Sequence, residues 1–378
     1  MINNNTLEKW ENTTFSEEFI IKSGDFLSAQ NMNLNGCYDV YGGNGINGKH
    51  DSYNYTGENI IIGRVGEKCG NVHYVNNDIW VTDNAFVLID TEHSFDKRFL
   101  YYLLTELNLR QYATKSTHPV ISGKSLKDVK IIFPISVCEQ QRIVGILDEA
   151  FENIEKAKQN ALQNLNNAKE LFENTIEKLF TKDTEDWSER KLSELGVIYT
   201  GTTPKTSEKD NFGDFIPFIK PADFNKDGTL NYNNEGLSEK GLKKARFIPK
   251  YSVLMVCIGA TITKTSFTTM DITCNQQINT LTPNKDDYKF VYYAMIRKSF
   301  KDVIISGCPQ TTLPIINKTN WSELKIKLPD INAQQKIVAQ LDELQEQTKK
   351  LEQIYEQKLK DLDELKQSIL QKAFNGEL

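Results

Sequence analysis

The chain carries one pattern twice, 194 residues apart, and the better-kept half of each copy reads as a helix. Gln140-Gln141-Arg142-Ile143-Val144 returns as Gln334-Gln335-Lys336-Ile337-Val338, and Leu147-Asp148-Glu149 returns as Leu341-Asp342-Glu343. Leu171 and Phe180 return as Leu365 and Phe374. From Gln140 to Phe180 the copies align without a gap, with 16 identities in 41 positions, more than two unrelated amphipathic helices share. The stretches ahead of them, 1–135 and 183–330, match only in scattered pieces. A fixed period marks a repeated structural unit. This chain therefore keeps a scaffold and varies what the scaffold carries.

Each helix has a start signal after a proline. Pro134 precedes Ser136 with Glu139 three residues on, and Pro329 precedes Asn332 with Gln335 three residues on. Both read as an N-cap with a capping-box partner. In the second helix, apolar residues at Leu341, Leu344, Leu351, Tyr355, Leu362, Leu365 and Ile369 keep a 3–4 spacing, interrupted by Thr348 and Lys358. The first repeats it with Leu147, Ala150, Ile154, Ala157, Ala161, Ala168 and Leu171, small residues that let a partner helix approach closely. Asn375-Gly376 is a carboxy-terminal stop. At 1.5 Å per residue each helix runs to roughly 60 Å, more than one domain buries. The two are expected to pair antiparallel as a coiled coil, giving an approximate internal twofold. The residues expected to serve pairing and subunit docking are Gln141, Ile143, Leu147, Leu171, Gln335, Ile337, Leu341, Leu351 and Leu365.

The globular regions read as mixed α/β, an α+β fold. Asn59–Gly63 and Ala85–Ile89 are strand-like, and Arg98–Leu104 opens a helix; Ser252–Val256, Gln277–Leu281 and Phe290–Met295 are their counterparts. Both regions end alike, with Leu126–Ile131 against Trp321–Ile326. The expected organisation is a first globular domain (1–135), a central repeat helix (136–182), a second globular domain (183–330) and a carboxy-terminal repeat helix (331–378).

No basic start followed by an apolar run opens the sequence, and no 18 apolar residues are consecutive, so a cytoplasmic protein without membrane contact is expected. The six cysteines form no CxxC pair and are expected as free thiols. A net charge of −6 argues against gripping nucleic acid by bulk attraction. The charge is uneven: 12 basic against 16 acidic residues in 1–138, but 20 against 17 in 183–329. If DNA is the target, partners supply part of the positive charge.

Gly42–His50, GGNGINGKH, nearly matches a P-loop, with Gly43, Gly48 and Lys49 correctly spaced. His50 stands where the metal-binding hydroxyl belongs, and the turn-rich Asp51–Gly57 follows where a helix is required. A glycine-rich loop approaching DNA, or a plain tight turn, is expected instead. Cys69 and His73 have ligand-like spacing without a second pair, so no metal site is expected. No nucleophile setting is recognisable. What remains is polar and basic loops: Tyr41, Asn44, Asn47, Lys49 and His50; Arg64 and Lys68; Lys115, His118 and Lys124. The second region offers Lys205, Lys243, Lys244, Arg246, Lys264, Gln276, Gln310, Thr311 and Thr312. Asn and Gln read adenine bidentately, Arg and Lys read guanine or hold phosphate, and Thr meets a thymine methyl.

Two divergent regions, each followed by a helix opening Gln-Gln-x-Ile-Val and Leu-Asp-Glu, resemble a specificity subunit of a type I restriction-modification system over nearly the whole length. Tyr38–Tyr53 and Arg64-Val65-Gly66 also resemble stretches common in that family's recognition domains. The resemblance implies a non-catalytic chain that binds double-stranded DNA at a bipartite, asymmetric site and two methyltransferase subunits, joined by motor-nuclease subunits. S-adenosylmethionine and ATP would then belong to the partners, with no cofactor in this chain. A non-DNA coiled-coil scaffold and a P-loop hydrolase using Lys49 are the alternatives.

Overall fold

The computed structural model describes residues 10–91, 93–181, 185–225, 227–308 and 313–378. The chain forms two compact units: Met1–Ala161 with Lys358–Leu378, and Leu162–Gln357. The strands of unit 1 are β1 (Trp10–Thr14), β2 (Phe19–Ser23), β3 (Tyr38–Gly42), β4 (Gly45–His50), β5 (Glu58–Gly63), β6 (Val72–Asn76), β7 (Ile79–Val81), β8 (Ala85–Asp90) and β9 (Lys130–Pro134). Those of unit 2 are β10 (Ser188–Lys191), β11 (Gly196–Thr200), β12 (Phe212–Ile219), β13 (Gly236–Leu237), β14 (Val253–Val256), β15 (Thr265–Phe267), β16 (Thr273–Cys274), β17 (Ile278–Pro283) and β18 (Lys325–Leu328). The helices used below are α1 (Lys97–Glu106), α2 (Val137–Thr181), α3 (Tyr288–Ile296), α4 (Lys298–Gly307) and α5 (Ile331–Phe374).

Sheet by sheet, the units match. The pair β1–β9 corresponds to β10–β18, the antiparallel sheet β2–β8–β5–β6 to β11–β17–β14–β15, and β4–β3–β7 to β13–β12–β16. Even the single parallel pairing recurs, β3 with β7 and β12 with β16. The divergent regions are one fold, with central strands buried on both faces: Ile60 and Ile62 enter one core and Ile61 another, as Val253 and Met255 enter one and Leu254 and Val256 another.

The repeated signatures turn out to be the joint between helix and recognition region. Gln140 is fully buried. Its Oε1 accepts from the backbone N–H of Asp96 (2.9 Å) and its Nε2 donates to the Pro134 carbonyl (2.9 Å). Gln334 does the same with Asp287 N–H (2.9 Å) and the Pro329 carbonyl (3.0 Å). Asp96 and Asp287 are the N-caps of α1 and α3. Further along, Asp148 accepts from the Tyr102 hydroxyl (2.5 Å), and Asp342 from that of Tyr293 (2.7 Å). Burial, and then this bond, raises both phenols above the ordinary tyrosine value. A buried amide or phenol costs free energy unless paired, so these identities are required wherever the helix docks.

The second helix is capped two residues before its expected cap. Asp330 Oδ1 accepts from Asn332 N–H (2.9 Å) and Ala333 N–H (3.1 Å), and Asn332 lies inside the helix. Adding 194 to Ser136, the residue before Val137 where α2 starts, also gives 330. Glu139 holds Arg142 through two 2.8 Å bonds. Gly376, at φ 72°, closes α5 with Glu377 N–H on the Lys372 carbonyl and Gly376 N–H on that of Ala373, a Schellman stop.

Each unit contains part of both long helices, which is why its limits differ from the expected domain edges. In unit 1, Arg142 Nη2 donates to the Leu378 carbonyl (2.9 Å), Lys366 lies 4.8 Å over the Phe151 ring, and Lys158 pairs with Asp363. Numbers rise on one helix as they fall on the other, so the pairing is antiparallel. Leu370 and Ala373 enter the core beside Ile143, Leu147 and Phe99, with Phe374 edge-on to Phe99 at 5.4 Å. In unit 2, Ile176 and Phe180 share a core with Val338 and Leu341, and Phe180 packs on Phe290 at 4.9 Å.

Five of the nine expected pairing and docking residues are not in the seam. Leu171, Leu351 and Leu365 are 56%, 39% and 46% exposed, and Gln141 and Gln335 face outward. Ile143, Leu147 and Leu341 are buried and Ile337 half-buried. The buried rows run Leu147, Ile154, Ala161, Ala168 on α2 and Leu341, Thr348 with half-buried Tyr355, Leu362 and Ile369 on α5. Thr348 is thus part of the seam. Two neighbouring leucine rows compete in the sequence, and the one starting at Leu341 is selected because that residue also plugs the unit 2 core.

Candidate nucleic-acid interface

In unit 1 three segments are laced by backbone hydrogen bonds. The turn after β5 closes with Cys69 N–H on the Gly66 carbonyl (3.1 Å) and Gly70 N–H on that of Gly63 (2.7 Å). Arg64 N–H donates to the Asn84 carbonyl (3.0 Å), joining the Thr82-Asp83-Asn84 turn. Gly66 N–H donates to Pro119 (3.0 Å) and Ile121 N–H to Arg64 (2.8 Å), joining the third segment. Unit 2 repeats this lacing: Ile262 to Gly259 (3.0 Å), Cys257 to Gln277 (2.7 Å), Gly259 to Pro314 (3.0 Å) and Ile316 to Cys257 (3.0 Å). Gly66 and Gly259 take positive φ, 94° and 100°, a conformation glycine adopts without strain. The frame is constant and its side chains differ.

The glycine run of unit 1 is a β-hairpin, β3–β4, turning at Gly43-Asn44, with a strand where a phosphate-binding helix would have to start. A Cβ on Gly43 would sit 2.3 Å from the Val65 carbonyl oxygen, so this glycine seats the hairpin against the Arg64–Gly66 turn. Asn44, Asn47 and Lys49 are exposed, and Lys49 pairs with Asp39 at 3.4 Å. His50 packs edge-on to Trp80, and Tyr41 to His73. Burial, and secondarily Lys68, lowers the His73 pKa. Arg64 is turned onto the protein, its guanidinium 5.3 Å over Phe86 and bonded to the Asp83 carbonyl (3.3 Å), so it braces the frame. Lys68, Lys115, His118 and Lys124 are exposed. Cys69 is buried with its sulfur 2.8 Å from Arg110 Nη1.

In unit 2, Lys264 stands exposed at the foot of the 257–263 turn and Gln276 at the tip of the β16–β17 turn. Thr203 Oγ1 donates to Gln276 Oε1 (2.5 Å), tying in the segment that carries exposed Lys205. The basic cluster is partly neutralised: Lys244 pairs with Glu208, Lys240 with Asp210 (3.3 Å), and Arg246 lies 4.8 Å over Tyr199. Lys243 is exposed. Gln310, Thr311 and Thr312 lie outside the described residues. Asp83 and Asn84 occupy the places of Gln276 and Gln277 in the frame, and the residue reading missed them; an offset of 193 between Val81–Phe86 and Cys274–Asn279 carries that signal.

The model of the Type I restriction modification DNA specificity domain matches twice, over residues 7–164 and 184–361. The chain belongs to the type I restriction-modification specificity subunits. It is 32% identical over 140 residues to the EcoprrI specificity subunit of Escherichia coli, covering 36% of this chain and 34% of that one. It is 31% identical over 205 residues to the HindI subunit of Haemophilus influenzae, covering 51% and 42%. These matches therefore span a third to two fifths of those subunits' own lengths. A structure solved for complex assembly and conformational transition of the type I R-M system superposes with a TM-score of 0.79 at 17% identity, covering 98% of both chains. The HsdS subunit of Thermoanaerobacter tengcongensis superposes at 0.60 and 17%, covering 98% and 97%. Among the described residues, no helix of this specificity subunit is long and apolar enough to cross a membrane.

Proposed function

We propose that this specificity subunit reads the two halves of a bipartite, asymmetric DNA site, one half per unit. The observation that carries the reading is the conserved three-segment frame bearing different side chains: Asp83, Asn84, Lys68 and Lys115 in unit 1, Gln276, Gln277 and Lys264 in unit 2. A rigid backbone with exchangeable polar tips is what direct base readout requires, with lysines positioning the phosphates. The paired helices set the spacing, and their outward row, including Leu351 and Leu365, docks two methyltransferase subunits that methylate adenine. Motor-nuclease subunits complete restriction. The chain performs no catalysis, and S-adenosylmethionine and ATP are held by the partners.

The test is co-expression with the genomically neighbouring methyltransferase and mapping of methylated adenines. Exchanging 1–135 for the region of another subunit changes one half of a split motif and leaves the other. A motif indifferent to that exchange sinks the proposal.

A further inference from the structure

Within unit 2 the amide of Gln277 has only one orientation compatible with its neighbours. Gln277 N–H donates to Asn275 Oδ1 (3.1 Å), so the other end of the buried Asn275 amide is its Nδ2 donor. That Nδ2 donates to Gln277 Oε1 (2.9 Å). Oε1 is therefore held by Asn275, and the half-buried Gln277 turns its NH2 toward the positive-φ turn, where a Cβ built on Gly259 would lie 3.9 Å from Nε2. Its neighbour Gln276 has its Oε1 taken by the Thr203 hydroxyl (2.5 Å), which leaves a second amide NH2 at the exposed tip. Holding two long polar side chains at a turn costs rotamer freedom; the Gln277 bond pairs the buried Asn275 amide, while the Gln276 bond lies at the exposed tip. The turn is prepared as a pair of donors.

We infer that the Gln276-Gln277 turn reads a base edge made of acceptors, the O6 and N7 of guanine, rather than adenine, whose major-groove edge pairs one donor with one acceptor. The inference rests on the DNA-reading function proposed above and adds the base class and the residues. Unit 1 places Asp83, an acceptor, at the position of Gln276, so the two units present opposite hydrogen-bonding sense from one frame.

The test is the methylation map of the complete co-expressed complex carrying Q277E, Q276E or Q276A. Gln277→Glu keeps an oxygen for Asn275 and replaces the NH2 by an acceptor, without changing the size of the side chain. Expected is a guanine in the unit 2 half-site of the wild type, and loss of preference for it by about tenfold in Q277E, the discrimination of one good base contact. The unit 1 half-site stays as it was. A wild-type half-site without guanine, or an unchanged motif in all three variants of a complex that still methylates, overturns the inference and leaves the proposed function standing. Methylation with no split motif in the wild type overturns that function itself.

Discussion

Removing the first glutamine of either signature separates a structural joint from a surface docking point. Gln140→Ala strips the partners from two groups, the Asp96 N–H and the Pro134 carbonyl, both held at 2.9 Å by a residue with no exposure. Each unpaired buried group costs about 1–3 kcal/mol, so with two of them unit 1 is expected to lose about 2–6 kcal/mol. At roughly 2–4 °C per kcal/mol for a unit of this size, a loss of about 3 kcal/mol lowers its melting temperature by roughly 6–12 °C. Gln334→Ala does the same to unit 2, where the Asp286 carboxylate also loses a donor at 2.9 Å. The assay is urea unfolding combined with hydrogen exchange of α1 and α3. Q140A should expose α1 and Q334A α3. The control is the adjacent Gln141→Ala, an exposed side chain expected to change stability by less than about 0.5 kcal/mol. A Q140A protein as stable as Q141A refutes the joint.

Phe180→Ala and Phe374→Ala each remove a ring packed on the recognition-region helix of the unit it joins, and should cost about 3 kcal/mol in unit 2 and somewhat less in unit 1, where Phe374 is only half-buried, measured by the same unfolding. Leu351→Lys with Leu365→Lys should leave folding within about 1 kcal/mol, since both side chains are exposed outside the buried seam and a lysine stem can cover the same apolar surface, while reducing co-purification of the methyltransferase. Tyr102 and Tyr293 have raised folded-state pKa values through burial and their bonds to Asp148 and Asp342. Their contribution is complete below the unfolded tyrosine value near 10 and is lost as pH rises beyond it. Urea midpoints should fall above that pH, and less steeply in Tyr102→Phe and Tyr293→Phe.

The helices were legible because their demands are periodic and local: a cap, a heptad row, a glycine stop. Which leucine row faces inward was not, since that depends on the unit core that Leu341 fills. The shared fold of the recognition regions showed in matched strands and in Trp321–Ile326 against Leu126–Ile131. The role of the signature glutamines was hidden because their partners are backbone groups of Asp96 and Asp287, some 45 residues away in sequence and without a side-chain pattern. The glycine run has the spacing of a phosphate loop, and the turn-rich Asp51–Gly57 argued against one; what spacing did not show is the hairpin, in which Gly43 is needed for its close approach to Val65. At the candidate interface, residue type alone could not tell Lys264 and Gln276, which stand exposed, from Arg64, whose guanidinium lies over Phe86 and bonds the Asp83 carbonyl.

The central claim is that the repeated helices measure distance while the divergent units read sequence. Deleting one heptad from each helix, residues 158–164 and 352–358, shortens both rods by about 10 Å at 1.5 Å per residue and keeps the heptad phase. Methylated adenines are then mapped in the co-expressed complex. The expected result is that methylation leaves the original spacing and is found only at shorter spacers, with both half-sites unchanged. Methylation retained at the original spacing contradicts it.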